Sequence, residues 1–158
     1  MASRIYLETS VISYLAARPS DNAVNASRQH FSYQLWQNRD RLGLVISEAV
    51  LAEAAVGDAQ AADNRLVFCR ALPRLDLPPG ALHLAEQLVA KRALPAKAFT
   101  DAMHIAIAAL HEVRLIASWN FRHIAGPLAR RKIEQALAEL DQFVPTIATP
   151  EEILESTR

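Results

Sequence analysis

The chain has 158 residues, 51% of them apolar, which is enough for one well-packed core and too few for two ordinary domains, so residues 1–158 read as one domain. Lysine plus arginine and aspartate plus glutamate both total 17, so no whole-molecule field draws in a polyanion, and any nucleic-acid binding must come from a local basic patch. A single cysteine, Cys69, excludes an intramolecular disulfide and a multi-cysteine metal site and fits a reducing compartment, with the cytoplasm as the default.

Met-Ala-Ser-Arg leads into a short apolar run broken by Glu8, which lacks the uninterrupted stretch of a signal peptide. No segment approaches the roughly 20 apolar residues of a membrane-spanning helix. Ser3 to Leu7 reads as a buried strand because a polar turn, Glu8-Thr9-Ser10, follows at once. Val11 to Ala17 predicts a short helix that ends before Arg18-Pro19, since the residue preceding proline avoids the helical region. Asp21 or Asn22 then caps a helix to about Asn38, with Val24, Phe31 and Leu35 on its apolar face and Trp36 beside it.

Leu42 to Ile46 is the second strand, and Ser47 caps the helix carrying Glu48, Val50, Leu51 and Glu53. Gly57-Asp58 ends that helix and starts another, from about Ala59 to Ala71. Pro73 to Leu77 reads as a short edge strand, because Pro73, Pro78 and Pro79 are tolerated only at a sheet's margin. Helix follows from Gly80 to about Arg92. Lys97 to Val113 is apolar apart from Thr100, Asp101, His104 and His111, and predicts a helix packed on more than one side. Leu115 to Ala117 is the third buried strand, closed by Ser118-Trp119-Asn120. Pro127 opens an amphipathic helix to about Leu140, and Thr146 to Ala148 is a last strand before a capped C-terminal helix. Strands alternating with helices imply a parallel sheet covered on both faces, a three-layer α/β/α sandwich of four to five strands.

In open parallel sheets the ligand site lies beyond the carboxyl ends of the strands, where helix N-termini also point. That rule selects Glu8-Thr9-Ser10, Ser47-Glu48 and Ser118-Trp119-Asn120 as one rim. Glu53 lies about one and a half turns into the helix leaving the second strand. Asp101 sits near the N-terminus of the most apolar helix, where burial of a lone charge is costly and a cation would relieve it. Oxygen ligands of this kind suit Mg²⁺ or Mn²⁺ over zinc, and clustered carboxylates with open water positions serve metal-assisted phosphodiester hydrolysis.

Four stretches carry a resemblance: Ile5 to Leu15, Ile46-Ser47 through Glu53, Thr100 to Ala106, and Ala117 to Ile124. In order and spacing the chain resembles PIN-domain nucleases, in particular the VapC-like toxin ribonucleases of prokaryotic toxin-antitoxin pairs. The resemblance implies that Glu8, Glu53 and Asp101 hold the first, second and third acidic positions and ligate metal. Asn120 matches the fourth position, completing a catalytic set of Glu8, Glu53, Asp101 and Asn120. The first position is usually Asp in the family, and the fourth is often acidic. One tightly held Mg²⁺ or Mn²⁺ ion is then expected, with a second arriving with the substrate phosphate. Activated water attacks phosphorus, leaving a 3′-hydroxyl and a 5′-phosphate. Thr9 or Ser10 orients a ligand or a water, with Ser118 in support, and Arg18, Arg122 and His123 are the nearest groups for RNA phosphates. A homodimer restrained by a small antitoxin, and RNA as substrate, follow from the same resemblance.

Each residue also has a plainer reading. Glu48 is a solvated carboxylate at a helix start. Asn120 either caps the short helical turn after it or takes the functional role. His104 is a hydrogen-bonded core residue, His30, His83 and His111 are surface or interface groups, Arg130 to Lys132 is by default a solvated helix face and otherwise an extension of the phosphate-contacting surface, and Cys69 is core.

Overall fold

A computed structural model describes residues 3–158; Met1 and Ala2, the first two residues of the expected 1–158 domain and of its N-terminal reading, lie outside the described residues. Five parallel strands form one sheet in the order β3-β2-β1-β4-β5: β1 Ile5–Leu7, β2 Leu44–Ser47, β3 Arg74–Leu75, β4 Leu115–Ala117 and β5 Thr146–Ala148. Every residue of β1 and β2 is buried. Because successive strand residues point to opposite faces, the sheet is covered on both sides, as the unbroken apolar runs require.

The helices are α1 Thr9–Ala16, α2 Ala23–Gln37, α3 Arg39–Leu42, α4 Glu48–Ala54, α5 Ala59–Arg70, α6 Ala81–Ala90, α7 Phe99–Leu110, α8 Pro127–Glu139 and α9 Pro150–Ser156. Their starts follow the capping chemistry in the sequence. Asn22, Ser47 and Asp58 each accept a backbone N–H of the first turn, and Thr149 with Glu152 makes a reciprocal capping box. The central helix α7 buries Ala102 and His104 through Ala109 and packs against α6 and α4, which explains why its sequence is apolar nearly all round.

Three boundaries and one helix face differ from expectation. Helix α1 begins at Thr9, two residues early, because Glu8 itself caps it. Leu42 belongs to the short helix α3, which Gly43 ends at φ +68°, so β2 starts at Leu44. Val24 is 58% exposed; the inward face of α2 is carried by Leu35 and by Ser32, whose hydroxyl accepts the Trp119 indole N–H at 2.8 Å. The Lys97–Val113 segment divides into a 3₁₀ turn at Ala96–Ala98 and α7. The edge strand β3 is as short as its prolines imply: Pro73 needs no N–H there, and its carbonyl accepts the Ile46 N–H at 3.0 Å.

Strand β1 lies between β2 and β4, so the chain's winding reverses direction at its carboxyl end. In such sheets that is where the crevice opens.

Candidate active site

Glu8 leaves β1 at this point of reversal. Its backbone N–H still extends the ladder to the Ala117 carbonyl at 3.0 Å, while its side chain, in a residue only 3% exposed, turns into the crevice. The carboxylate accepts three hydrogen bonds. Ser118 Oγ, at the exit of β4, donates to Oε1 at 2.6 Å, Ser10 Oγ donates to Oε1 at 2.7 Å, and the Ser10 N–H donates to Oε2 at 2.9 Å. Ser10 Oγ accepts the Trp119 N–H at 2.8 Å, and Ser118 Oγ accepts the Asn120 N–H at 2.9 Å, so the turns after β1 and β4 are stitched together through this one carboxylate.

Glu53 arrives from α4. Thr9 Oγ1 donates to its Oε1 at 2.7 Å, and His104 Nε2 bonds the same oxygen. The imidazole is fully buried, with Nδ1 2.6 Å from the Tyr6 hydroxyl, which lies 2.7 Å from Ser47 Oγ. With the ring proton on Nε2, donors run one way from the β2 exit to the cluster: Ser47 to Tyr6, Tyr6 to His104, His104 to Glu53. Burial pushes the Tyr6 phenol far up, keeping it neutral as a link in this chain.

Burial alone would raise the Glu53 carboxyl, but the hydrogen bond and charge of His104, aided by Thr9, hold it below the usual carboxylate value. Burial alone would depress His104; the hydrogen bond to Glu53 and the charges of Glu8, Glu53 and Asp101 raise it above its ordinary value. Among the described residues, no lysine or arginine forms an ion pair with Glu8, Glu53 or Asp101.

The donor set fits a divalent cation. Glu8, Glu53 and His104 each offer a ligand atom, all within 4.8 Å of one another, and two of the three are carboxylates buried or half-buried without a lysine or arginine counter-ion. Asp101 stands one turn before His104 on the same face of α7. It is half-buried, and its Oδ2 is 3.0 Å from His123 Nδ1. Thus the structure brings Glu8 and Glu53 together with His104 as the third group of the tight cluster, and places Asp101 beside it in a pair with His123.

The remaining expected residues divide by place. Thr9, Ser10 and Ser118 all bond the cluster's carboxylates. Asn120 Oδ1 accepts the His123 N–H at 3.1 Å and caps a π-helical turn at Phe121–Ala125, so its side chain has a structural task at the rim. Arg122 is exposed on that turn. Arg18 lines a separate cavity of about 360 Å³ with Ser13, Asp58 and Arg65, a cavity that no residue of the cluster lines. Glu48 is exposed, 3.7 Å from Arg74, and outside the cluster. The sequence reading placed His104 correctly in the core but did not join it to Glu53. Its spacing of three from Asp101 was the available signal, because either residue can face a partner on α4.

No curated protein and no solved structure matches the chain. The PIN domain family profile matches residues 5–127, which span β1 to the first residue of α8 and so include both turns that hold Glu8, together with Glu53, Asp101 and His104. PIN domains are generally nucleases and typically use divalent metals, in keeping with the buried carboxylates at the reversal point. With most of its length matched, this chain belongs to the PIN domain family.

Proposed function

We propose that the protein is a divalent-metal-dependent endoribonuclease, the toxin of a toxin-antitoxin pair that acts in the cytoplasm as a homodimer and is restrained by a small partner protein. The observation that carries the hydrolytic reading is the cluster itself: Glu8 and Glu53, delivered by separate elements to the carboxyl end of the sheet, with hydroxyl and amide donors around them and no lysine or arginine paired to them. The resemblance of the four motif stretches supports the RNA substrate, the toxin role, the dimer and the antitoxin.

Glu8, Glu53 and Asp101 would hold Mg²⁺ or Mn²⁺, with His104 contributing a nitrogen or steadying Glu53. When bound, the ion supplies Lewis-acid activation of water and stabilises the charge that develops on the phosphoryl group. The chain's own residues do the rest. Ser118, Ser10 and the Ser10 amide fix the direction of the Glu8 lone pairs, and Thr9 and His104 do the same for Glu53. Asn120 shapes the turn that presents His123 to Asp101, and Arg122 and His123 contact phosphates flanking the cleaved bond, with Arg18 as a more distant contact.

The test is cleavage of single-stranded RNA in Mg²⁺ or Mn²⁺ by the parent, Glu8→Ala and Asp101→Asn. Each variant is expected to lose activity by about a hundredfold or more, the scale of removing one electrostatic stabiliser. Undiminished cutting by both variants would reject the site. Growth arrest on expression, relieved by a small protein encoded next to it, tests the toxin role.

One observation favours a second reading, a PIN scaffold that binds RNA or protein without cutting. Glu53 and Asp101 each already have a histidine partner. RNA binding without hydrolysis in either metal, with no measurable Mn²⁺ uptake by calorimetry, would establish it.

A further inference from the structure

Between the end of α6 and the start of α8, and linked to Asp101 through His123, lies an open groove of about 700 Å³. Arg92, Pro95, Arg122, His123, Leu128 and Lys132 are among its lining residues, and none of the lining residues is acidic. In a chain of zero net charge this is a local concentration of cations. Among the described residues, Lys91 pairs with Glu139 at 3.0 Å and Arg130 with Glu152 at 2.6 Å, and neither cation lines the groove. Arg92, Arg122 and Lys132 have no carboxylate partner among the described residues, and all three are exposed.

Arg92 lines the groove from the end of α6. It follows α6 at φ +61°, a left-handed position that glycine fills without steric cost. The Ala93 N–H reaches back to the Leu88 carbonyl at 3.0 Å, so the turn is the ordinary helix-ending one, as it is at Glu112 and Asp141, and it brings the Arg92 side chain to the groove. The groove's far wall is the π-helical turn, whose His123 both lines the groove and bonds Asp101 at 3.0 Å. A strand lying in the groove therefore meets His123, the residue that bonds Asp101.

We propose that this groove binds the sugar-phosphate backbone of a single-stranded RNA to one side of the cleaved bond, with Arg92 and Lys132 gripping phosphates beyond those met by Arg122 and His123. The inference rests on the nuclease reading for its substrate and extends it: the enzyme recognises a chain several nucleotides long, mainly through charge, rather than a short end. Neutralising unpaired cations that track phosphates weakens binding and flattens its salt dependence.

The test is binding of a labelled single-stranded RNA of about 20 nucleotides in EDTA, so that no strand is cut, across a salt series, for the parent and the Arg92→Gly/Lys132→Gln variant. Losing two phosphate contacts is expected to lower the slope of log affinity against log salt by about 1.4 and to weaken binding about tenfold or more at low salt. Arg92→Gly relieves the positive φ, so the melting temperature of Arg92→Gly alone should equal or exceed the parent's, which separates lost contact from lost fold. In turnover with metal, the defect should fall in KM. Parent-like affinity and slope in the variant would overturn the proposal. So would poly-glutamate of equal charge competing for the groove as tightly as RNA, the result expected of an acidic protein partner. Because the binding measurement requires no hydrolysis, a parent protein that binds in this way but never cuts would reject the nuclease reading and leave the groove standing.

Discussion

The Glu8 carboxylate draws three hydrogen bonds from two different turns and none from a basic side chain. Such donors aim lone pairs without cancelling charge, which is the outer-shell arrangement that metal ligands use. Removing one of them should therefore be felt in metal affinity more than in folding. Ser118→Ala is expected to weaken Mn²⁺ binding about tenfold by calorimetry. Its melting temperature should fall by only a few degrees. Ser10→Ala should behave alike, because each hydroxyl also receives one backbone amide, that of Trp119 at Ser10 and that of Asn120 at Ser118. At this scale the sequence showed which carboxylates follow strands, because a polar group directly after an apolar run is visible by eye. It did not show which residue of α7 meets Glu53. Asp101 and His104 are three apart and share a face, so the choice depends on how far the helix slides along its neighbours, a quantity that no local pattern contains.

Among the elements, the helix starts were the most legible feature, since a cap is a local hydrogen bond between a short polar side chain and amides two or three residues on. The Thr149-Pro150-Glu151-Glu152 sequence gave α9 its capping box. Thr149→Ala should cost about 1 kcal/mol, read as a shift of the denaturant midpoint without a change in slope. Least legible was the π-helical turn at Phe121–Ala125. It is held from one end by Asn120 and from the other by Gly126, where a Cβ would run into the Phe121 carbonyl oxygen. Gly126→Ala is expected to destabilise by about 1–3 kcal/mol, as overpacking does. The same change should displace His123 from Asp101. Val24 misled the periodic reading for a related reason: the spacing of α2 defines a stripe but not its width, and a buried Ser32 with a partner for its hydroxyl took the place assigned to an apolar side chain.

For the whole molecule, the parallel sheet and the three-layer arrangement followed from alternating apolar runs and helices, because only a parallel sheet with both faces covered accommodates them; the strand order, which the same alternation leaves open, came from the structure. So did the long-range ion pair between Arg130 of α8 and Glu152 of α9, since nothing local joins residues on two separate helices. Arg130, with help from the Thr149 amide, holds the Glu152 carboxyl down at about 2 against partial burial. A folded pKa below the unfolded one adds stability above the ordinary carboxylate range, and this is lost as pH falls from about 4.5 toward 2. Glu152→Gln should therefore melt below the parent at pH 6, with the gap closing in that acid window. With Glu152 half exposed, the gap is about 1 kcal/mol or less.

The hydroxyl of Tyr6 sits in the middle strand, and through it the catalytic face is tethered to the deepest layer of the protein. Side chains on a surface loop can loosen while the body stays intact; here the candidate ligands hang from the innermost strand and its immediate neighbours. Loss of cation binding during urea titration should coincide with loss of helical circular dichroism, and a transition in which the cation leaves first would show that the pocket opens independently of the sheet.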